Sequence, residues 1–310
     1  MEYIFGIDVG GTTVKIGLFT VTGDLLEKWE IPTHTANGGN AILPDIAQSL
    51  KQKMKEKNIP LSMLKGAGIG VPGPVLEDGT VNHCVNLGWG KKNVAKELSD
   101  LLGVPAKAAN DANIAALGEV WKGSGRGFSN VLMVTIGTGI GGGLILHGEI
   151  VTGATGSGAE IGHICVNPHE TRLCNCGKTG CLEQYTSATG ILRVAKERLA
   201  ETQTPSTLRN IADLTTKDVI DAAKQGDALA CGVLDFMAKT MGRTLANCCA
   251  LVDIEVFVIG GGVSKAGNFL LEPIKKYYQK YAFHTQKETC FQLAELGNDA
   301  GIYGAARLMI

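Results

Sequence analysis

One pattern occurs twice in this chain: an apolar strand, a turn of glycine and threonine, and a second apolar strand. Tyr3 to Val9 ends in Asp8-Val9-Gly10-Gly11-Thr12-Thr13 and continues into Val14 to Phe19. Val134-Thr135-Ile136 runs into Gly137-Thr138-Gly139 and then into a strand ending at Leu146. Each copy is followed by a buried-strand signal and a tight break. In the first copy Ala67 to Val71 precedes Pro72-Gly73-Pro74, and in the second Val256 to Ile259 precedes Gly260-Gly261-Gly262. Each then closes on an Asn-Asp-Ala that opens a helical stretch, at Asp111 and, with closely matched spacing, at Asp299. One supersecondary unit used twice predicts two duplicated α/β domains with a cleft between them. The expected bounds are 1–118, 119–297 with an insertion, and a C-terminal helix over 298–310.

The turns have a chemistry of their own. Glycine lets backbone N–H groups approach phosphate oxygens closely, and the threonines add hydroxyl donors. Two facing turns make a clamp for a polyphosphate, and Asp8, at a strand end, is placed to hold a magnesium ion through water. Gly260 to Gly262, after a buried strand and before a helix starting near Ser264, give a third contact close to a base and ribose. Taken alone, a Gly triplet means only tight strand-helix packing.

The insertion contains the densest chemistry, AEIGHICVNPHETRLCNCGKTGCLEQ from Ala159 to Gln184. Cys174, Cys176 and Cys181 form a C-x-C-x4-C turn whose Gly177 and Gly180 let three thiolates converge, and His163 completes a Cys3His set for a tetrahedral zinc. Four protein ligands leave no position for an activated water, so such a zinc is structural. Cys165 shares a face with His163 in an extended segment and competes with it as fourth ligand. A redox pair is the rival explanation, but C-x-C makes a strained disulfide loop and an intracellular chain gains little from one.

Helical periodicity fills the intervals. Ile42, Ile46, Leu50 and Met54 mark one buried stripe over Ala41 to Lys57. Helices are also predicted over Lys92 to Leu102, Ile114 to Trp121, Leu182 to Ala200, Lys217 to Lys224 and Asp227 to about Leu251, with another after Ser264.

With 310 residues, 45% of them hydrophobic, and a net charge of −1, the chain has ample core. It has no basic run for nucleic acid or an anionic membrane. MEYIFGIDVGG reads at once as strand and turn, without a leader, and no apolar run reaches the ~18 residues of a spanning helix, so a cytoplasmic protein is expected. Nine cysteines with one dense cluster argue against a disulfide scaffold.

Asn110-Asp111 follows the short strand Ala106 to Ala109, at a helix N-terminus. The plain explanation is a cap, and for Asn298-Asp299 the cap is the expectation. For Asn110-Asp111, Glu160 and Glu183 supply further partners for hydroxyl groups. None of the four positions is basic, which fits an uncharged polyol and not an anionic sugar.

Asp8-x-Gly-Gly-Thr12, Glu160-x-Gly-His163 and Cys174-Asn-Cys-Gly-Lys-Thr-Gly-Cys-Leu-Glu183 resemble the signatures of the ROK family of sugar kinases and related repressors. Val71-Pro-Gly-Pro74 and Asn86-Leu-Gly-Trp89 are similar to its bacterial glucokinases. The likeness runs over nearly the whole chain, and the cysteine signature is its specific part. It implies the actin-like, ribonuclease-H-like ATPase fold and ATP-dependent phosphorylation of a neutral hexose, glucose first, at the 6-hydroxyl. Mannose, N-acetylmannosamine, allose and fructose are the alternatives. The implied base is Asp111, and the implied sugar set is Gly73, Asn110, Asp111, Glu160, His163 and Glu183. The nucleotide set is Asp8, Gly10, Gly11, Thr12, Thr13, Lys15, Gly137, Thr138, Gly139, Gly261 and Gly262. The implied zinc set is His163, Cys174, Cys176 and Cys181, and a homodimer is implied as well. A repressor needs a helix-turn-helix ahead of the first strand, where Asp8 leaves no room, and a sugar sensor would be expected to lose the base or a phosphate turn.

Overall fold

The computed structural model describes residues 2–310. The N-terminal apolar run forms β1 (Tyr3–Val9), the first glycine turn reverses it into β2 (Thr13–Thr20), and β3 (Leu25–Pro32) completes an antiparallel meander. β4 (Leu64–Val71) and β7 (Ala106–Asn110) extend this sheet in parallel, giving the order β3-β2-β1-β4-β7. β5 (Thr80–Val81) and β6 (Lys92–Asn93) make a separate small pair. β3 alternates half-buried and exposed residues, as a strand with one face in water does, while β1 and β4 are buried almost throughout. The second sheet contains β8 (Val131–Ile136), β9 (Ile140–Leu146), β10 (Glu149–Ile150), β11 (Val256–Gly260) and β12 (Cys290–Leu293). Its order, β10-β9-β8-β11-β12, matches the first sheet strand for strand.

After a short turn, α1 (Ala36–Gly39), the periodic stripe forms α2 (Ile42–Glu56) with Ile42, Ile46, Leu50 and Met54 all buried. α3 (Val94–Leu102) and α4 (Asp111–Lys122) follow. Past the cysteine-rich segment come α5 (Glu183–Thr186), α6 (Ala188–Glu201), α7 (Thr216–Lys224), α8 (Ala228–Val252) and α9 (Asn268–Tyr281), and α10 (Ala300–Arg307) ends the chain. The helix expected over Leu182 to Ala200 is two helices. Ser187 is extended (φ −75°, ψ 171°), donates to Glu183 O and accepts from Gly190 N–H, so its side chain caps a new helix where the periodicity alone suggests continuity.

The chain divides into two compact units. One contains residues up to Val131, Gly143–Ala159 and Ala294–Ile310, and the other Leu132–Gly142 and Glu160–Leu293. In the first unit α10 lies against α4 and β1 with backbone close to backbone. Added methyls at Gly118 and Gly304 would strike Ala300 O and Ile114 O, and one at Gly6 would strike Ile302 O. Glu119, fully buried in α4, holds the approach to α10. It accepts from Leu296 N–H (2.8 Å), Glu295 N–H (3.2 Å), Ser124 N–H (2.9 Å) and Ser124 Oγ (3.2 Å).

The cap expected at Asp299 is not made. Asp299 occupies the N-cap position of α10 without a side-chain cap bond and instead pairs with Lys28 Nζ at 2.6 Å. The ion pair takes the carboxylate away from the helix end.

Candidate active site

In the first unit, antiparallel pairing sets Asp8 opposite Lys15 across the first turn. The turn is closed by Gly10 N–H to Thr13 O (2.9 Å) and anchored by Thr33, whose hydroxyl donates to Gly10 O (2.8 Å). A side chain at Gly11 would meet nothing within 4 Å. No protein contact demands glycine there, which leaves the space for a ligand. Lys15 Nζ donates to Asn298 O at 3.3 Å.

Asn110, at the end of β7, is the N-cap of α4. Its Oδ1 accepts from Ala112 N–H (2.9 Å) and Asn113 N–H (3.2 Å), and its Nδ2 donates to Gly73 O (3.1 Å) and Asp111 Oδ1 (2.9 Å). Asn110 is therefore the residue that caps the helix. Asp111 Oδ1 also accepts from Ala112 N–H at 2.8 Å. Among the described residues, Asp111 Oδ2 makes no hydrogen bond, and it is the oxygen available to a substrate hydroxyl.

Asp111 is reached by water but crowded by protein. Desolvation raises its carboxyl above the ordinary range, against the pull of Ala112 N–H and the Asn110 amide. Asp8 is shifted further, to about 6, by burial first and by the neighbouring charge of Asp111 second, with Lys15 pulling the other way. Gly301 of α10 closes over it, since a Cβ there would lie 2.5 Å from Asp8 Oδ2. Two crowded carboxylates beside one lysine make a site that favours a cation.

In the second unit, Gly137 N–H donates to Gly139 O (3.0 Å) across the second turn, and the start of α6 hooks onto it. Ala188 N–H donates to Gly137 O (2.8 Å) and Thr189 Oγ1 to Thr138 O (2.7 Å). Gly137 and Gly262 face open space, whereas a Cβ at Gly261 (φ +86°) would lie 2.5 Å from Ile136 O. Gly261 thus lets the end of β11 sit beside the end of β8, next to the turn. A cavity of about 330 Å³ opens here, lined by Thr138, Gly139, Cys174, Glu183, Thr189 and Arg193 among others. Sequence reading missed Thr189 and Arg193. The Ser187 cap, a serine inside a helical pattern, was the signal for the first; nothing local marks the second.

Ligand atoms of His163, Cys174, Cys176 and Cys181 all lie within 4.8 Å of one another, a set able to hold a metal ion. Cys176 and Cys181 sulfurs are 3.6 Å apart, and Cys174 Sγ is 3.8 Å from His163 Nδ1. The other ring nitrogen, Nε2, faces Glu160 Oε2 at 3.9 Å. Cys174 Sγ also donates to Glu183 Oε1 at 2.9 Å. Burial pushes the Cys174 and Cys181 thiols up. Burial opposes ionising Cys176 too, but the Lys178 N–H and the neighbouring thiols outweigh it and pull that thiol down. Gly180, at φ +72°, turns the loop against Asn167 O where no side chain fits.

The ROK family profile matches residues 4–310. The chain is 44% identical to a glucokinase of Halalkalibacterium halodurans, over 99% of this chain and 95% of that protein. It is 35% identical to a glucokinase of Thermotoga maritima, over 99% and 96%. It is similar in structure to a ROK family glucokinase from Streptomyces griseus solved in complex with glucose and AMPPNP, with 32% identity, 99% of both chains covered and a TM-score of 0.77. A full-length match to the profile, supported by relatives alike from end to end, means that this chain belongs to the ROK family.

Proposed function

We propose that this protein transfers the γ-phosphoryl group of ATP to the 6-hydroxyl of glucose. The observation that carries the proposal is the 44% identity to a glucokinase across 99% of the chain. The fold proposed is the duplicated actin-like ATPase fold, with domains over 1–118 and 119–297 and the returning helix over 298–310. The shared strand order of the two sheets supports it. A cytoplasmic homodimer is proposed from the family alone. Among the described residues no helix is long and apolar enough to cross a membrane.

Each residue is assigned the role its chemistry suits. Asp111 takes the proton from the attacking hydroxyl through its unpaired Oδ2, and a carboxyl raised above its ordinary range is the better base for it. Asn110, held by Gly73 O, fixes Asp111 Oδ1 and thereby its orientation. Glu160, His163 and Glu183 bind sugar hydroxyls. Gly10 to Thr13 and Gly137 to Gly139 receive the phosphates, with Lys15 as a positive partner and Gly261 and Gly262 near the nucleoside. Magnesium, when bound, neutralises the charge of the transferring phosphoryl group, and Asp8 is the carboxylate for it.

The metal assigned to the Cys3His cluster is zinc. With Zn–S about 2.3 Å and Zn–N about 2.0 Å, the edges of a tetrahedral site come to about 3.5–3.8 Å. The 3.6 Å and 3.8 Å separations are of that size. Glu160 beside the second ring nitrogen of His163 is the usual outer partner of a metal-bound imidazole.

A coupled assay of ADP release over glucose, mannose, N-acetylmannosamine, allose and fructose tests the proposal, with glucose expected to give the highest kcat/KM. Asp111→Asn should bind glucose and MgATP nearly as wild type does but turn over about 100- to 10,000-fold more slowly. Asp299→Asn, which only weakens a surface pair with Lys28, should keep its kcat. A fully active Asp111→Asn would remove the base from this position.

A further inference from the structure

Cys165 lies outside the four-residue cluster, yet the fold pairs it directly across from one of the cluster's cysteines. Cys165 and Cys181 form an isolated antiparallel bridge. Val166 N–H donates to Gly180 O (2.7 Å) and Leu182 N–H to Ile164 O (2.9 Å), one bond on each side of the pair. Bonds made by the flanking residues and not by the two residues themselves define a non-hydrogen-bonded pair, with α-carbons about 4.5 Å apart and side chains on the same face. A disulfide spans α-carbon separations of about 4.4–6.8 Å. Cys165 Sγ lies close to Gly180, 3.4 Å from where a Cβ of residue 180 would sit. Cys165 is exposed and Cys181 is fully buried, so an oxidant from solvent meets Cys165 first.

We infer that Cys165 is an oxidation site with Cys181 as its resolving partner. Hydrogen peroxide oxidises the Cys165 thiol to a sulfenic acid, its O–O bond breaking as an S–O bond forms and one water leaves. The Cys181 sulfur then attacks that sulfur, the S–S bond forms, the S–O bond breaks, and the departing hydroxide takes up a proton as a second water. The consequence for the metal rests on the zinc proposal above. Cys181 is one of the four ligands there, so the disulfide leaves three and opens the site.

The test uses the full-length protein as purified, treated with a small excess of hydrogen peroxide. Released zinc is followed with a chromogenic dye, and non-reduced peptides are mapped by mass spectrometry. The expected result is a peptide pair linked through Cys165 and Cys181, with zinc released in step with it and both changes reversed by dithiothreitol plus zinc. Cys165→Ser, a change at an exposed position, should abolish the link and slow zinc release about tenfold or more. Equal release from wild type and Cys165→Ser, or a Cys176–Cys181 link in place of the expected one, overturns the inference. The two proposals fail separately. A 165–181 link in a protein that carries no zinc ends the zinc assignment and leaves the oxidation site, whereas a zinc protein that never forms this link does the reverse.

Discussion

Asp8→Asn should stabilise the protein while abolishing its activity. The Asp8 carboxyl is pushed up to about 6 in the folded chain, against 3.8 for a free carboxyl, because burial and Asp111 both oppose its charge. Between those two values the folded chain holds a proton that the unfolded chain has released, so stability falls as pH rises through that window and is lowest above it. The shift corresponds to a penalty of about 3 kcal/mol at neutral pH, and residual solvent contact and a compact unfolded state reduce this toward about 1.5 kcal/mol. Asparagine has the shape of the acid without its charge. In protein free of magnesium but keeping its zinc, at pH 7.5, the variant should melt higher by on the order of 5 °C. The gain should be about half as large at pH 5 and vanish below about pH 4, where wild-type Asp8 is itself neutral. Added magnesium should stabilise wild type alone and narrow the gap. Activity should move the other way, with kcat/KM for MgATP falling about 100-fold or more and wild-type activity declining as pH drops through about 6. Calorimetry at the two pH values decides the matter. Equal melting temperatures at pH 7.5, or a difference that pH does not change, would refute an ionised Asp8 held at a cost.

Gly11→Val should fold normally, since nothing lies within 4 Å of the added carbon, and yet lose ATP affinity. Isothermal titration with AMPPNP checks this, and unchanged affinity would take Gly10 to Thr13 out of the nucleotide site. Cys176→Ser removes a ligand from the Cys3His set and should lose both the zinc, measured by atomic emission, and the glucose affinity. A metal-free wild type with full activity would end the zinc assignment.

Much of this was legible because it is local. Both glycine turns are strand-turn-strand repeats whose flanks are apolar in the sequence, and α2 is written in four residues spaced by four. What escaped depends on partners distant in the chain. Asp299 looks like a cap from its neighbours, but Lys28, remote in sequence, takes its carboxylate. Glu119 looks like an ordinary helix-surface glutamate, whereas the return of residues 295 and 296 buries it under their N–H groups. Asn110 and Asp111 look equally like caps from the sequence, and the hydrogen bonds show that Asn110 makes the cap. The break at Ser187 was readable in principle, because serine competes for backbone bonds, but the apolar pattern on either side concealed it.

In the second unit the proposed zinc, sugar and phosphate roles meet at one side chain. Glu183 accepts from Cys174 with Oε1, and its Oε2 lies 2.8 Å from where a Cβ on Gly139 would stand, so a single carboxylate touches both the Cys3His cluster and the second glycine turn. One turn further on, Ser187 ends the helix that carries Glu183 and starts the one that hooks onto Gly137 and Thr138. On the zinc proposal, the metal would do more than staple a loop. It would hold Cys174, then a thiolate with no S–H to give Glu183, and His163, whose Nδ1 lies 3.7 Å from Glu183 Oε1, so their position would limit where Glu183 can sit, and Glu183 in turn how Gly139 can move. Loss of the metal should therefore weaken the sugar and nucleotide functions together. A loop staple remote from both would affect neither until the unit unfolded.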